Sequence, residues 1–234
     1  MFRFSNVIYE KGKREKNEDS IALHKLTSVR GDIIMALVCD GCGGMDEGSF
    51  ASGTVAEEFS IWFYNELPDI LRGIAVRKRL EGAVNRKLYE VHERLKSYGM
   101  QKDEKLGTTF TLFIAYGNKY ICFQTGDSTV LKLTAKDAEY ICDIQANGTV
   151  LTRCNGSGRY RPPKLSFGKI RSDTAFLVMS DGMYGKIKKE EFLKAAGPVE
   201  PADERKTEKR LKALADTALK RDCRDNMSLI YLRF

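Results

Sequence analysis

The sequence predicts an α+β fold built mainly on antiparallel strands. Apolar residues recur at helical spacing in some long segments, while others carry short apolar or alternating runs bounded by Gly, Asn and Asp turns. The order of the segments is the third observation: a strand-rich start, two helices, a strand-rich middle, a helix and a final strand, without regular βαβ alternation.

In chain order, IIMALVC at 33–39 is a continuous apolar run that stops at Asp40 and Gly41, so it reads as a buried strand with an acid at its C-terminal end. After Ser49, the segment ASGTVAEEFSIWFYNEL places Val55, Phe59, Trp62 and Phe63 on one helical face, with Pro68 as a stop and Trp62 in the core. Leu80, Val84, Leu88, Val91 and Leu95 follow at steps of three and four, an amphipathic helix ending near Gly99. TTFTLFIAY, the Gly117-Asn118 turn, KYICFQT and, after GDS, TVLKLT read as a β-meander. The stretch 141–172, containing NGSGRYRPPK, reads as a surface loop or flap. AFLVMS at 175–180 is a strand ending at Asp181-Gly182, residues 203–221 are a helix with Leu211, Leu214, Ala215, Ala218 and Leu219 on one face, and MSLIYLRF closes the chain as a strand.

A length of 234 residues suits one large domain over 1–234, and 42% hydrophobic with 30% charged residues is ordinary for a soluble globular chain. No apolar run approaches the roughly 20 residues that cross a bilayer, and the opening MFRFSNVIYEKGKREKNEDS lacks the apolar core of a secretory signal, so a cytoplasmic location without a membrane partner is expected. Cysteines 39, 42, 122, 142, 154 and 223 are scattered, which suits a reducing compartment and small core residues. The net charge of +7 favours anionic partners, but basic residues alternate with acids and lack an aromatic-basic pattern, so no nucleic acid is expected.

Asp40, Asp181 and Asp225 each lie at a strand end. If those strands are neighbours, their carboxylates share one cleft, where like charge requires protons or cations. All-oxygen donors suit Mg²⁺ or Mn²⁺. Taken singly, an Asp-Gly pair is more often a turn former than a ligand, so spacing alone leaves both readings open. The stretch VCDGCGGMDEG, Val38–Gly48, also holds Cys39-x-x-Cys42, half of a zinc or redox site. No second Cys pair accompanies it, and His24 and His92 stand alone and are expected at the surface. GCGG is followed by no Gly-Lys-Ser/Thr, which excludes a phosphate-cradling P-loop.

Several blocks, in order, resemble the metal-dependent serine/threonine protein phosphatases of the type 2C family, in a bacterial-like form. They are REKNEDS at 14–20, VCDGCGGMDEGSFAS, LGTTFTLFIA, TGDSTVLKL, FLVMSDGMYG and DNMSLIYLRF. The resemblance implies a four-layer αββα sandwich, two mainly antiparallel sheets flanked by helices. It implies hydrolysis of phosphoserine or phosphothreonine in proteins by a water or hydroxide bridging two Mn²⁺ or Mg²⁺ ions, a chemistry that needs two close cations. By position, Asp40 would bridge the ions, Gly41 would offer its carbonyl, Asp181 and Asp225 would complete one shell, and Glu18 would serve the other. Arg14 would hold the substrate phosphate, which suits a planar, permanently charged guanidinium, and Asp127 is a candidate for a weak third metal site. Implied partners are phosphorylated proteins, targets of a serine/threonine kinase in signalling, with the phosphatase a monomer.

Three positions depart from the family pattern. Cys42 stands where many members have His, Thr129 replaces the Arg after Gly-Asp-Ser, and Gly185 stands where an Asp follows Ser-Asp-Gly, which leaves the third site to Asp127. The 141–172 segment is where substrate preference is expected. The alternative reading is a catalytically weak phosphatase-like module that binds phosphoproteins or a signalling partner.

Overall fold

The apolar strands pair into two antiparallel sheets packed face to face, each covered on its outer face by helices. The computed structural model describes residues 2–29, 31–43, 47–144, 146–147, 150–151, 153–198 and 201–234. In chain order the elements are β1 (Phe4–Glu10), β2 (Asp19–Ser28), β3 (Gly31–Gly43), α1 (Glu47–Asn65), α2 (Leu67–Arg72), α3 (Val76–Lys102), β4 (Leu106–Thr108), β5 (Phe110–Tyr116) and β6 (Lys119–Thr125). They continue with β7 (Thr129–Leu133), β8 (Ala138–Tyr140), β9 (Ala146–Asn147), β10 (Val150–Leu151), β11 (Lys164–Lys169), β12 (Ala175–Met179), α4 (Asp181–Tyr184), α5 (Lys189–Ala196), α6 (Glu204–Lys220) and β13 (Met227–Arg233). One sheet runs β1-β13-β12-β7-β8 and the other β11-β6-β5-β3-β2, with β4 added to the end of β3.

The alternation of side chains along a strand explains why the central strands are apolar throughout. On β3, Ile33, Met35, Leu37 and Cys39 pack under the helices, while Ile34, Ala36 and Val38 face the opposite sheet. On β12 the same division sends Ala175, Leu177 and Met179 outward to α4–α6 and Phe176 and Val178 inward. The helical faces read from the sequence are the buried ones: Val55, Phe59, Trp62 and Phe63 of α1 and Leu80, Val84, Leu88, Val91 and Leu95 of α3 join one core. Each such side chain contributes about 1.5–3 kcal/mol of hydrophobic stabilisation.

Several expectations shift. Pro68 lies in the first turn of α2, where its missing N–H leaves no bond unmade, so it opens a short helix as well as following the end of α1. Gly99 is inside α3: a Cβ there would lie 2.7 Å from the Glu104 carbonyl oxygen, so it serves close packing, and the helix ends instead at Asp103, left-handed with φ 56°. The meander does not continue into β7, because the chain crosses between sheets after β6 and β7 pairs with β12 and β8. Gly126, with φ +99°, allows that crossing. The 141–172 stretch is not all loop, since β11 pairs with β6 as an edge strand, and residues 145, 148, 149 and 152 lie outside the described residues. Helices α4 and α5 were not anticipated by periodicity. Among the described residues no helix is long and apolar enough to cross a membrane.

Candidate active site

Strand pairing brings the aspartates together. β2 opens with Asp19 directly opposite Asp40 of β3. β3 does not stop at Asp40 but runs on to Gly43 against β4, so Asp40 sits within the strand. Its backbone is fixed on the β5 side: Asp40 N–H donates to Thr109 Oγ1 at 2.8 Å, and Thr109 N–H returns a bond to the Asp40 carbonyl at 2.8 Å. Thr109 Oγ1 also meets Ser128 Oγ at 2.8 Å, beside Asp127 in the crossing between sheets. On the other sheet, β12 and β13 are neighbours, so Asp181 after the one and Asp225 before the other lie at the same end. Ser180 Oγ donates to Asp19 Oδ2 at 2.8 Å and ties the two sheets together there.

The loop carrying Arg14 and Glu18 has no strand to hold it and is held by Asn226. Its Oδ1 accepts from Glu18 N–H at 2.9 Å, and its Nδ2 donates to the carbonyls of Lys11 and Lys16 at 2.9 Å each. The Glu18 carbonyl accepts from Ser52 Oγ at 2.6 Å and Gly41 N–H at 3.1 Å. Two glycines make room: a Cβ on Gly48 would lie 2.5 Å from Glu18 Oε1, and one on Gly41 would collide with the Gly48 carbonyl. Arg14, exposed, pairs through Nη2 with Asp225 Oδ2 at 3.0 Å.

Crowding of carboxyls in a desolvated place raises their pKa values. Burial is the first cause at Asp40, reinforced by Asp19, Asp181, Asp127 and Asp225, and pushes it well above the carboxylate range. Asp181 is pushed up to about 7 by burial and then by Asp225, Asp127 and Asp19. Asp19, 2% exposed, rises to about 6 through burial, against the lowering hydrogen bond from Ser180. Asp127 is raised by burial as well. Among the described residues, Oδ1 of Asp19, Asp127 and Asp181 is buried without a hydrogen-bond partner. A buried, unpaired carboxylate oxygen is costly and is relieved by a proton or a cation. No three His, Cys, Asp or Glu side chains among the described residues converge to enclose a cation unaided.

The Protein phosphatase 2C family model matches residues 11–219 of this chain. The chain belongs to the protein phosphatase 2C family. Its fold is that of solved protein phosphatase 2C-like structures, among them the serine/threonine phosphatase Stp1 from Staphylococcus aureus, with TM-score 0.83 and 19% identity over 100% of this chain and 95% of that one. The Mycobacterium tuberculosis serine/threonine phosphatase PstP/Ppp gives TM-score 0.79 and 19% identity over 100% and 99%. PppA, a key regulatory component of T6SS in Pseudomonas aeruginosa, gives 0.78 and 22% over 99% and 97%. No curated protein matches the sequence. Membership supports protein serine/threonine phosphatase function and phosphoprotein substrates.

Of the residues that the protein phosphatase 2C resemblance singled out, Glu18, Asp40, Gly41, Asp127, Asp181 and Asp225 gather at one end of the sandwich, with Arg14 at its rim through Asp225. Asp19 and Asn226 were not singled out, although both lie in the quoted blocks REKNEDS and DNMSLIYLRF. Gly185 accepts no such role: it caps α4, its N–H bonded to the Asp181 carbonyl at 2.7 Å. Thr129 is buried and donates to the Cys142 carbonyl at 3.3 Å.

Cys39 and Cys42 do not form a pair. Cys39 is buried under the helices, whereas Cys42, of opposite strand parity, is hydrogen-bonded to Cys154. That bond, then burial, pushes the Cys42 thiol up. His92 departs from its expected surface position: it is fully buried and its Nδ1 accepts Gly156 N–H at 3.0 Å. Residues 44–46 of the motif lie outside the described residues.

Proposed function

We propose that residues 1–234 form one catalytic unit that hydrolyses phosphoserine and phosphothreonine in proteins with the help of two Mn²⁺ or Mg²⁺ ions. The observation that carries this reading is the group of buried, unpartnered carboxylate oxygens on Asp19, Asp127 and Asp181 around Asp40, within one contact of the exposed Arg14 guanidinium. The donors are all oxygen, which fits hard divalent cations. Asp40, Glu18 and the Gly41 carbonyl would hold one ion, Asp40, Asp181 and Asp225 the other, and Asp127 would attract a weaker third. When bound, the ions supply positive charge for the phosphoryl oxygens and acidify water enough to attack at neutral pH.

The chain itself does the positioning. Arg14 offers a planar fork to two phosphate oxygens, and its contact with Asp225 keeps that fork over the cleft until phosphate competes for it. Asn226 fixes the loop so that Arg14 and Glu18 keep their spacing from Asp225. Cys42 is a poor proton donor to the leaving oxygen, because its thiol is held protonated by Cys154 and by burial. That proton would come from water rather than from the thiol.

The test is hydrolysis of an aryl phosphate with Mn²⁺, with and without chelator, by the wild type, Asp40→Asn and Arg14→Ala. Activity that is lost on chelation and in both variants is expected. Metal-independent turnover would overturn the reading, and no turnover by the folded wild type would leave the phosphoprotein-binding module instead.

A further inference from the structure

At the end of the sandwich opposite the carboxylates lies a cavity of about 480 Å³ lined by Lys132, Lys136, Lys169 and Arg171 together with Asp173 and Thr174. The cations come from both sheets: Lys132 from β7, Lys169 from the end of β11, and Lys136 and Arg171 from the turns that follow. No ion pair to any of these four side chains is found among the described residues. Asp173 is the single carboxylate of the lining, so positive charge there is only partly offset.

The backbone under this cluster is fixed. Thr134 Oγ1 accepts the N–H groups of Lys136 at 3.4 Å and Asp137 at 3.1 Å, which closes the turn presenting Lys136. Ile170, between Lys169 and Arg171, is buried between the sheets and donates its N–H to the Asn118 carbonyl at 2.8 Å. The Thr174 carbonyl accepts from Phe234 N–H at 3.0 Å, anchoring the second turn to the end of β13. Four cations held around one solvent-open cavity form a site for an anionic group, because the repulsion among them is relieved when one enters.

We propose that this cavity is a second anion site that docks an acidic or phosphorylated group of the polypeptide substrate, away from the phosphoester being cleaved. This rests on the phosphatase reading above. The lining contains no aromatic ring on which a nucleobase could stack and no large aliphatic side chain to enter a lipid layer. That favours a charged side chain of a protein over RNA or a membrane. Lys132 stands five residues beyond Asp127, about 16 Å at the rise of a strand. An extended chain advances about 3.5 Å per residue, so the docked group must lie at least about five residues from the phosphorylated one, and further if the chain follows the surface.

The experiment compares two phosphopeptides that share one phosphoserine and differ in a distal segment, Glu-rich in one and Gln-rich in the other, six to twelve residues away. Aryl phosphate serves as the substrate that cannot reach the cavity. For the wild type, the acidic peptide is expected to have a KM about fivefold lower at low salt, an advantage that fades as salt screens it. In Lys132→Glu with Lys169→Glu the advantage falls to within about twofold, with kcat and aryl phosphate turnover unchanged. Equal KM values for the two peptides with the wild type, or an equal loss on aryl phosphate in the variant, would overturn the proposal. A second measurement does not depend on turnover: fluorescence anisotropy of the labelled, unphosphorylated Glu-rich peptide with wild type and Lys136→Gln with Arg171→Gln. Weaker binding by that milder variant supports docking even if aryl phosphate is not hydrolysed, which separates this proposal from the phosphatase reading. Unchanged binding, or tighter binding of an RNA oligomer or of anionic vesicles than of the peptide, overturns it.

Discussion

At one end of the sandwich, Asp19, Asp40, Asp127 and Asp181 have pKa values raised first by burial and then by neighbouring carboxylates; at the other, Lys132, Lys136, Lys169 and Arg171 ring a cavity open to solvent. Strand β7 joins the two, with Asp127 just before its start and Lys132 near its end. The difference lies in solvation: like charges in a buried cleft each carry a desolvation penalty, whereas like charges in water are screened and repel weakly. The acidic end therefore needs a proton or cation for its own stability. The basic end can remain empty until an anionic group arrives.

The sharpest way to break this comparison is to remove the central acid. Asp40→Asn should lower kcat on an aryl phosphate about 10²–10³-fold in steady-state assays, as removal of a transition-state electrostatic contact does elsewhere. Gly48→Ala should come next. Its new methyl would displace the Glu18 carboxylate, and a loss of about 10–100-fold in kcat/KM that extra Mn²⁺ partly restores is expected.

The pH dependence of stability tests the electrostatics directly. Asp19 and Asp181, pushed up to about 6 and about 7, lie above the ordinary aspartate value, so the folded state binds more protons. Their contribution is present below about pH 4 and is lost as pH rises through 6 to 7. Chelated protein should thus be more stable at pH 5 than at pH 8, with a higher melting temperature, and Asp19→Asn should reduce that stability difference by about 1.4 kcal/mol. A flat melting profile would contradict the account. Smaller still, Cys42→Ser should leave aryl phosphate turnover within about tenfold, or about 1.4 kcal/mol, if the thiol is no essential acid. Lys169→Gln, at the basic end, should change it by no more than about twofold.

Pattern was enough to place α3 and β5: the steps of three and four in α3 match its buried face, and the short apolar run of β5 matches a strand buried on both faces. It could also have placed His92, which lies one turn past Leu88 on the apolar face of α3. It did not reveal that β6 and β7 belong to different sheets, since a strand's own pattern carries no record of its partner. β11 was hidden because KLSFGK, an edge strand, is neither uniformly apolar nor bounded by a clear turn. At the site, Asp40, Asp181 and Asp225 were visible as strand-end acids. Arg14 and Glu18 came only from resemblance, because they occupy a loop whose position depends on Asn226, more than 200 residues away. Asp19 escaped notice for a related reason: only the pairing of β2 with β3 puts it opposite Asp40.

The pairing of β1 with β13 has a consequence in time. Among the described residues Phe4–Glu10 pairs only with Met227–Arg233, and Asn226, just before that strand, holds the Arg14 loop. During synthesis, every earlier strand can leave the ribosome while both the N-terminal edge and the loop still lack their support. Contacts this distant in sequence form slowly. The edge strand β1 and the Arg14 loop therefore gain their support only when β13 folds onto them, late in the order in which the strands are made.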